Sequence, residues 1–147
     1  MRRYLEAEPG LYENQALVLA PRRAEYERLL DGLRRLFARC EPPGCTAALL
    51  VVPHESQVDP GYLRVLERIG ARFADPSLLA DDNYPFLALL REELARLGPG
   101  RVRILDALPA LRDVERDRHA FFLHDPHLNA CGQEALADLV LSDAPLP

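Results

Sequence analysis

The feature that most constrains this chain is a set of short apolar runs, each cut off by proline or a polar residue. They are Ala16–Ala20 before Pro21, Ala47–Val52 before Pro53, Val102–Leu105 before Asp106, and Ala120–Leu123 before His124. None is long enough for a core helix. Apolar on both sides, each reads as a strand buried in a parallel sheet. Helix-period segments separate them. Arg22–Arg39 carries Tyr26, Leu29, Leu30, Leu33, Leu36 and Phe37 on one face, with arginines and glutamates opposite. Asp59 and Pro60 open a second helix with Leu63, Leu66 and Ile69 inward, and Gly70 ends it. Phe86–Leu97 forms a third, closed by Gly98-Pro99-Gly100, and Asn129–Leu141 a last. Leu108–Leu111 reads as a short helical turn and Arg112–Arg118 as a charged surface loop. Strand and helix alternating in this way predict an α/β fold: three layers around a mostly parallel sheet of four strands, an incomplete flavodoxin-like domain.

Pro9-Gly10 interrupts a polar beginning, so residues 1–14 read as an N-terminal arm, 15–141 as the domain and 142–147 as a frayed tail. A length of 147 residues suits a single core, and 48% hydrophobic residues exclude a disordered chain. The net charge of −5 gives no electrostatic reason for a nucleic-acid partner. All basic residues are arginine. Without lysine, Schiff-base chemistry and a phosphate-binding loop lysine are excluded. No apolar run approaches the roughly 20 residues of a membrane span. Met1–Glu8 lacks the apolar core of a signal peptide. The expectation is a soluble chain, cytoplasmic as it stands and extracytoplasmic if it is cut from a longer precursor.

Chemistry concentrates near the end, in Phe121-Phe122-Leu123-His124-Asp125-Pro126-His127-Leu128-Asn129-Ala130-Cys131-Gly132. Asn129 is a good helix N-cap. Asp125 and His127 then fall in a loop at a strand's carboxyl end, where open α/β sheets bind ligands. A carboxylate beside a histidine orients the imidazole as a general base; it equally suits a histidine and a helix-capping aspartate in a solvated loop. His124, Asp125 and His127, with His119 nearby, could instead supply three metal ligands from one loop, but their directions do not clearly converge and no fourth ligand is evident, so no metal or cofactor is expected. After the second run, His54 and Glu55 face the same sheet edge as candidate substrate contacts, and Ser56 is either a nucleophile or a turn hydroxyl. Asp106 sits at another strand end, where it reads as a helix cap. Cys40 and Cys45 flank Glu41-Pro42-Pro43-Gly44, a turn compatible with a disulfide or with two ordinary thiols. Cys131 reads as a packing residue, and Asp81-Asp82-Asn83 as a solvated turn.

The block Asp125-x-His127-x-Asn129-x-x-Gly132 resembles block V of the SGNH (GDSL-like) hydrolase and acyltransferase superfamily. The likeness is to bacterial members of the alginate-acetylation type, with Leu128 where those often carry Trp. Val51-Val52-Pro53-His54-Glu55-Ser56-Gln57-Val58 is similar to their Pro-x-Lys-x-Gln-Val segment, with Glu55 in place of Lys. Arg103–Arg112 is similar to their strand-Asp-x-x-Pro-x-Leu segment. Together the matches cover roughly residues 46–141. The Gly-Asp-Ser nucleophile block and a Gly-x-Asn-Asp block do not occur, so the chain looks like the later portion of such a domain.

The resemblance implies an esterase or acyltransferase acting on an O-acyl ester such as an acetylated carbohydrate. His127 would be the base, Asp125 its orienting partner, and His54, Glu55 and Asn129 substrate contacts. A catalytically inactive module that binds a carbohydrate or a protein is the alternative. The absent opening would leave Ala16–Ala20 at a bare sheet edge, which implies a homodimer, a partner chain, or the N-terminal arm folded over it.

Overall fold

The computed structural model describes residues 23–40, 47–72, 85–96 and 102–143. Among these it is mixed α/β, with six helices, one parallel strand pair and one antiparallel pair. The strands are β1 (Ala47–Val51), β2 (Val102–Asp106), β3 (Phe121–Phe122) and β4 (Asp125–Leu128). The helices are α1 (Arg23–Phe37), α2 (Glu55–Val58), α3 (Pro60–Arg68), α4 (Pro85–Ala95), α5 (Leu108–Glu115) and α6 (Ala130–Asp143).

β1 and β2 run parallel, Ala47 opposite Val102 and Val51 opposite Asp106, so their carboxyl ends lie side by side. Alternate residues of the pair serve different cores. Ala47, Leu49 and Val51, with Val102 and Ile104, pack against Leu30 and Phe37 of α1 and Leu90 and Leu94 of α4. Leu50 instead joins a cluster built from Val58, Tyr62, Ala107, Leu111, Ala120 and Phe121, over which Ala135, Leu136 and Leu139 of α6 close. A carboxylate reinforces the first core: Glu93 of α4 is bound by Arg34 of α1 and, at 2.7 Å, by Arg96.

Helix ends follow the sequence signals. Asp59 caps α3, its Oδ1 accepting the Gly61 N–H at 2.7 Å. Gly70 adopts φ 105° just past the helix, a conformation open to glycine at little steric cost. Cys40, immediately after the turn that closes α1, is disulfide-bonded; Cys131 is free. Cys45, Ala16–Ala20, the arm 1–14 and Asp81-Asp82-Asn83 lie outside the described residues.

Several expectations are corrected. The run at Ala120–Leu123 does not extend the parallel sheet: Phe121 and Phe122 pair antiparallel with Leu128 and Asp125. The alternation of Asp125, Pro126, His127 and Leu128 is itself a strand signal, with Asp125 and His127 outward and Pro126 and Leu128 half-buried. Asp125 and His127 therefore lie on a hairpin strand rather than in a loop. The segment after β1 forms a helical turn at residues 55–58. α5 runs on to Glu115, because its apolar spacing continues through Leu111 and Val114. Leu29 and Leu36 of α1 are exposed, leaving Tyr26, Leu30 and Phe37 as its buried stripe. Ser142 and Asp143 continue α6 instead of fraying, and Arg103 binds Asp143.

Candidate functional site

The joint between the hairpin and α6 is fixed by Asn129. Its Oδ1 accepts the Cys131 and Gly132 N–H groups at 2.9 and 3.2 Å, capping α6. Its Nδ2 donates to the His119 and Phe121 carbonyls at 2.7 and 3.1 Å. Both of its amide ends are thus engaged in tying hairpin to helix. Gly132 explains the spacing that follows: a Cβ there would stand 2.3 Å from the Ala120 carbonyl oxygen and 2.7 Å from Leu128. The helix start can approach β3 this closely only with glycine at that position.

On this rigid joint β4 displays its outward residues. Asp125 Oδ1 accepts the His127 N–H at 3.0 Å and is also hydrogen-bonded to His127 Nδ1. A carboxylate can only accept, so Nδ1 carries the proton and Nε2 is left as the basic nitrogen. The hydrogen bond from His127 holds the Asp125 carboxyl below its usual range. Both side chains are open, 51% exposed for Asp125 and 81% for His127. The exposed Phe122 and Leu123 precede them at the hairpin turn.

The segment after β1 behaves differently. His54 N-caps α2: its own N–H donates to Gln57 Oε1 at 2.8 Å, and its Nδ1 accepts the Ser56 N–H at 3.3 Å. Ser56 Oγ lies 2.8 Å from the same Nδ1. Since Nδ1 accepts, His54 is the Nε2–H tautomer, opposite to His127. Burial depresses its imidazole to about 4, so at neutral pH it is an uncharged cap. Ser56 is fully buried with its hydroxyl on this ring, which makes it a structural hydroxyl rather than an accessible nucleophile.

Glu55 joins the two segments. It is 2% exposed and its Oε2 has no hydrogen-bond partner. Burial first, and then the Asp125 charge, raise its carboxyl to about 7, while His127 pulls in the opposite direction. Glu55 is therefore within electrostatic reach of Asp125 and His127, and the fold brings three of the sequence-predicted residues into one field. Asp106 is employed otherwise: Oδ1 accepts the Leu108 N–H at 3.1 Å at the start of α5, and Oδ2 pairs with Arg91 at 3.1 Å.

No family model, no curated protein and no solved structure matches this chain. The geometry must carry the functional reading alone. Among the described residues no three His, Cys, Asp or Glu side chains converge to hold a metal ion, and no helix is long and apolar enough to cross a membrane.

Sequence reasoning missed a second constellation, centred on the Glu115 carboxylate. Tyr62 Oη donates to both Glu115 oxygens at 3.0 Å and accepts the Phe121 N–H at 3.3 Å. Glu115 further accepts from His119 Nδ1 and from the Ala120 N–H, each at 2.7 Å. Burial and the neighbouring Glu115 push the Tyr62 phenol up. The signal was present in the placing of Glu115 and His119 one helical turn apart, but a charged run reads first as a solvated loop.

Proposed function

We propose that this chain carries the acid–base half of an SGNH-type esterase or acyltransferase, acting on an O-acyl ester such as an acetylated carbohydrate. The β1–β2 pair, with helices packed on both faces, is read as the centre of a three-layer parallel sheet. One observation carries the functional reading: Asp125 and His127 form an outward, hydrogen-bonded carboxylate–imidazole pair with Nε2 as the basic nitrogen.

In ester chemistry such a nitrogen removes the proton from the attacking oxygen and then protonates the departing alcohol. Asp125 holds the ring in the required tautomer and stabilises the imidazolium. Glu55, a buried carboxyl beside the pair, responds to the charge that appears there. The attacking group is water or a hydroxyl supplied from outside the described residues, since Ser56 is sealed against His54. Before any partner supplies that hydroxyl, the chain should react weakly: p-nitrophenyl acetate turnover near background and no labelling by a fluorophosphonate. Addition of an O-acetylated oligosaccharide should perturb the His127 and Glu55 side-chain resonances. Strong fluorophosphonate labelling that disappears in Ser56→Ala would overturn the assignment.

The burial of Ser56 favours a second reading, a module that binds an acylated carbohydrate or a protein and turns nothing over. Binding with no hydrolysis even when an SGNH nucleophile domain is added would decide for it. A homodimer or a partner chain is compatible with either reading.

A further inference from the structure

A second histidine–carboxylate pair lies on α5 and the turn after it, beside a cleft of about 180 Å³ lined by Asp59, Gly61, Tyr62, Val65, His119 and Leu123. The supporting carboxylate is built in. Glu115 is 7% exposed at its side chain and accepts hydrogen bonds from Tyr62, His119 and the Ala120 N–H. Because it can only accept, His119 presents its Nδ1–H to Glu115 and keeps Nε2 as an acceptor. The ring is further fixed edge-on against Tyr62, centroids 6.1 Å apart. Asp59 also lines the cleft, and its carboxylate spends one acceptor site on the Gly61 N–H at 2.7 Å.

The cleft thus presents side-chain acceptors, Asp59 and His119 Nε2, with the Tyr62 hydroxyl turned inward to Glu115. Its remaining side-chain walls, Val65 and Leu123, are apolar. A ligand must bring its own donors, and a positive charge is favoured beside a carboxylate and an aromatic ring. The volume is close to the ~150 Å³ of an apolar cavity that holds benzene, so the ligand's body is about one ring or a short branched chain.

We propose that this cleft is a second binding site, taking a small primary ammonium ion whose charged head lies between Asp59 and His119 and whose apolar body rests on Val65 and Leu123. The site is independent of the ester chemistry assigned to Asp125 and His127.

Benzylammonium is the probe, followed by NMR on the full chain. The expected result is a saturable shift of the His119 ring and the Gly61 N–H, with a dissociation constant in the range of about 1 mM. Benzyl alcohol, the neutral counterpart, should bind about tenfold more weakly. Asp59→Asn removes the charge but keeps a good N-cap, so the fold is retained while affinity for benzylammonium falls about tenfold. His119→Ala should weaken it severalfold. Absence of saturation, equal affinity in Asp59→Asn, or shifts centred on His127 instead would each overturn the proposal and leave the Tyr62–Glu115–His119 group a purely structural knot.

Discussion

His54 and His127 each bond a side chain two residues away, and the fold gives them opposite properties. His127 stands on the outward side of a hairpin strand, its proton on Nδ1, its Nε2 in solvent. His54 is folded back over a helical turn, its Nδ1 accepting from Ser56, its charge suppressed to about 4 by burial. Sequence spacing cannot tell them apart. Backbone context can: an alternating strand throws residue i and residue i+2 to the same open side, whereas an N-cap turns its side chain into the first turn of the helix. A histidine–hydroxyl pair that looks like a nucleophile and its base is here a cap, and a pair in a short hairpin is the one exposed to solvent.

The comparison breaks most completely if the platform under His127 is removed. Gly132→Ala places a methyl against the Ala120 carbonyl and should cost about 3 kcal/mol, read as a lower denaturation midpoint. Asn129→Ala removes the cap of α6 and both ties to the hairpin, for about 2 kcal/mol. In contrast, His127→Ala should change stability by less than about 0.5 kcal/mol, because its ring is exposed. A large loss on His127→Ala would mean that the dyad is structural.

The next test uses pH. Glu55 is raised from 4.5 to about 7, so its contribution to stability is intact below 4.5 and lost as pH rises through 7. His54 is lowered from 6.5 to about 4, so its contribution is intact above 6.5 and lost as pH falls through 4. Between 4.5 and 6.5 the two neighbours oppose each other, and the slopes largely cancel. Glu55→Gln should therefore stabilise above pH 7 by on the order of 1–3 kcal/mol, leave stability below pH 4.5 unchanged, and expose the rising slope from His54. His54→Asn, which keeps an N-capping side chain, should expose the falling slope from Glu55. Melting curves of the variants between pH 4 and 8 check both signs; parallel curves for all of them would refute the buried pair.

Much of this was legible in the residues. β1, β2, the Asp59 cap, the Gly70 stop and the start of α6 follow from apolar runs and cap chemistry that act within a few residues. The candidate dyad was legible too, since Asp125-x-His127 is a local pattern. What was not legible depended on partners distant in sequence. Phe121 and Phe122 pair with β4 because Asn129 and Gly132 clamp the hairpin to α6, and a four-residue apolar run contains no mark that separates this from a parallel strand. Glu55 is raised first by its burial and then by the charge of a hairpin residue seventy positions later in the chain. Glu115 is engaged by Tyr62, from α3, fifty-three positions earlier in the chain.

The central claim is that Asp125 sets His127 as a base with Nε2 open. Long-range proton–nitrogen NMR of the imidazoles reads the tautomer directly. The account predicts Nδ1–H for His127 and Nε2–H for His54 in the native chain, with the His127 preference relaxing toward that of free imidazole in Asp125→Asn. A native His127 in the Nε2–H form, or one whose tautomer is indifferent to Asp125→Asn, would contradict it.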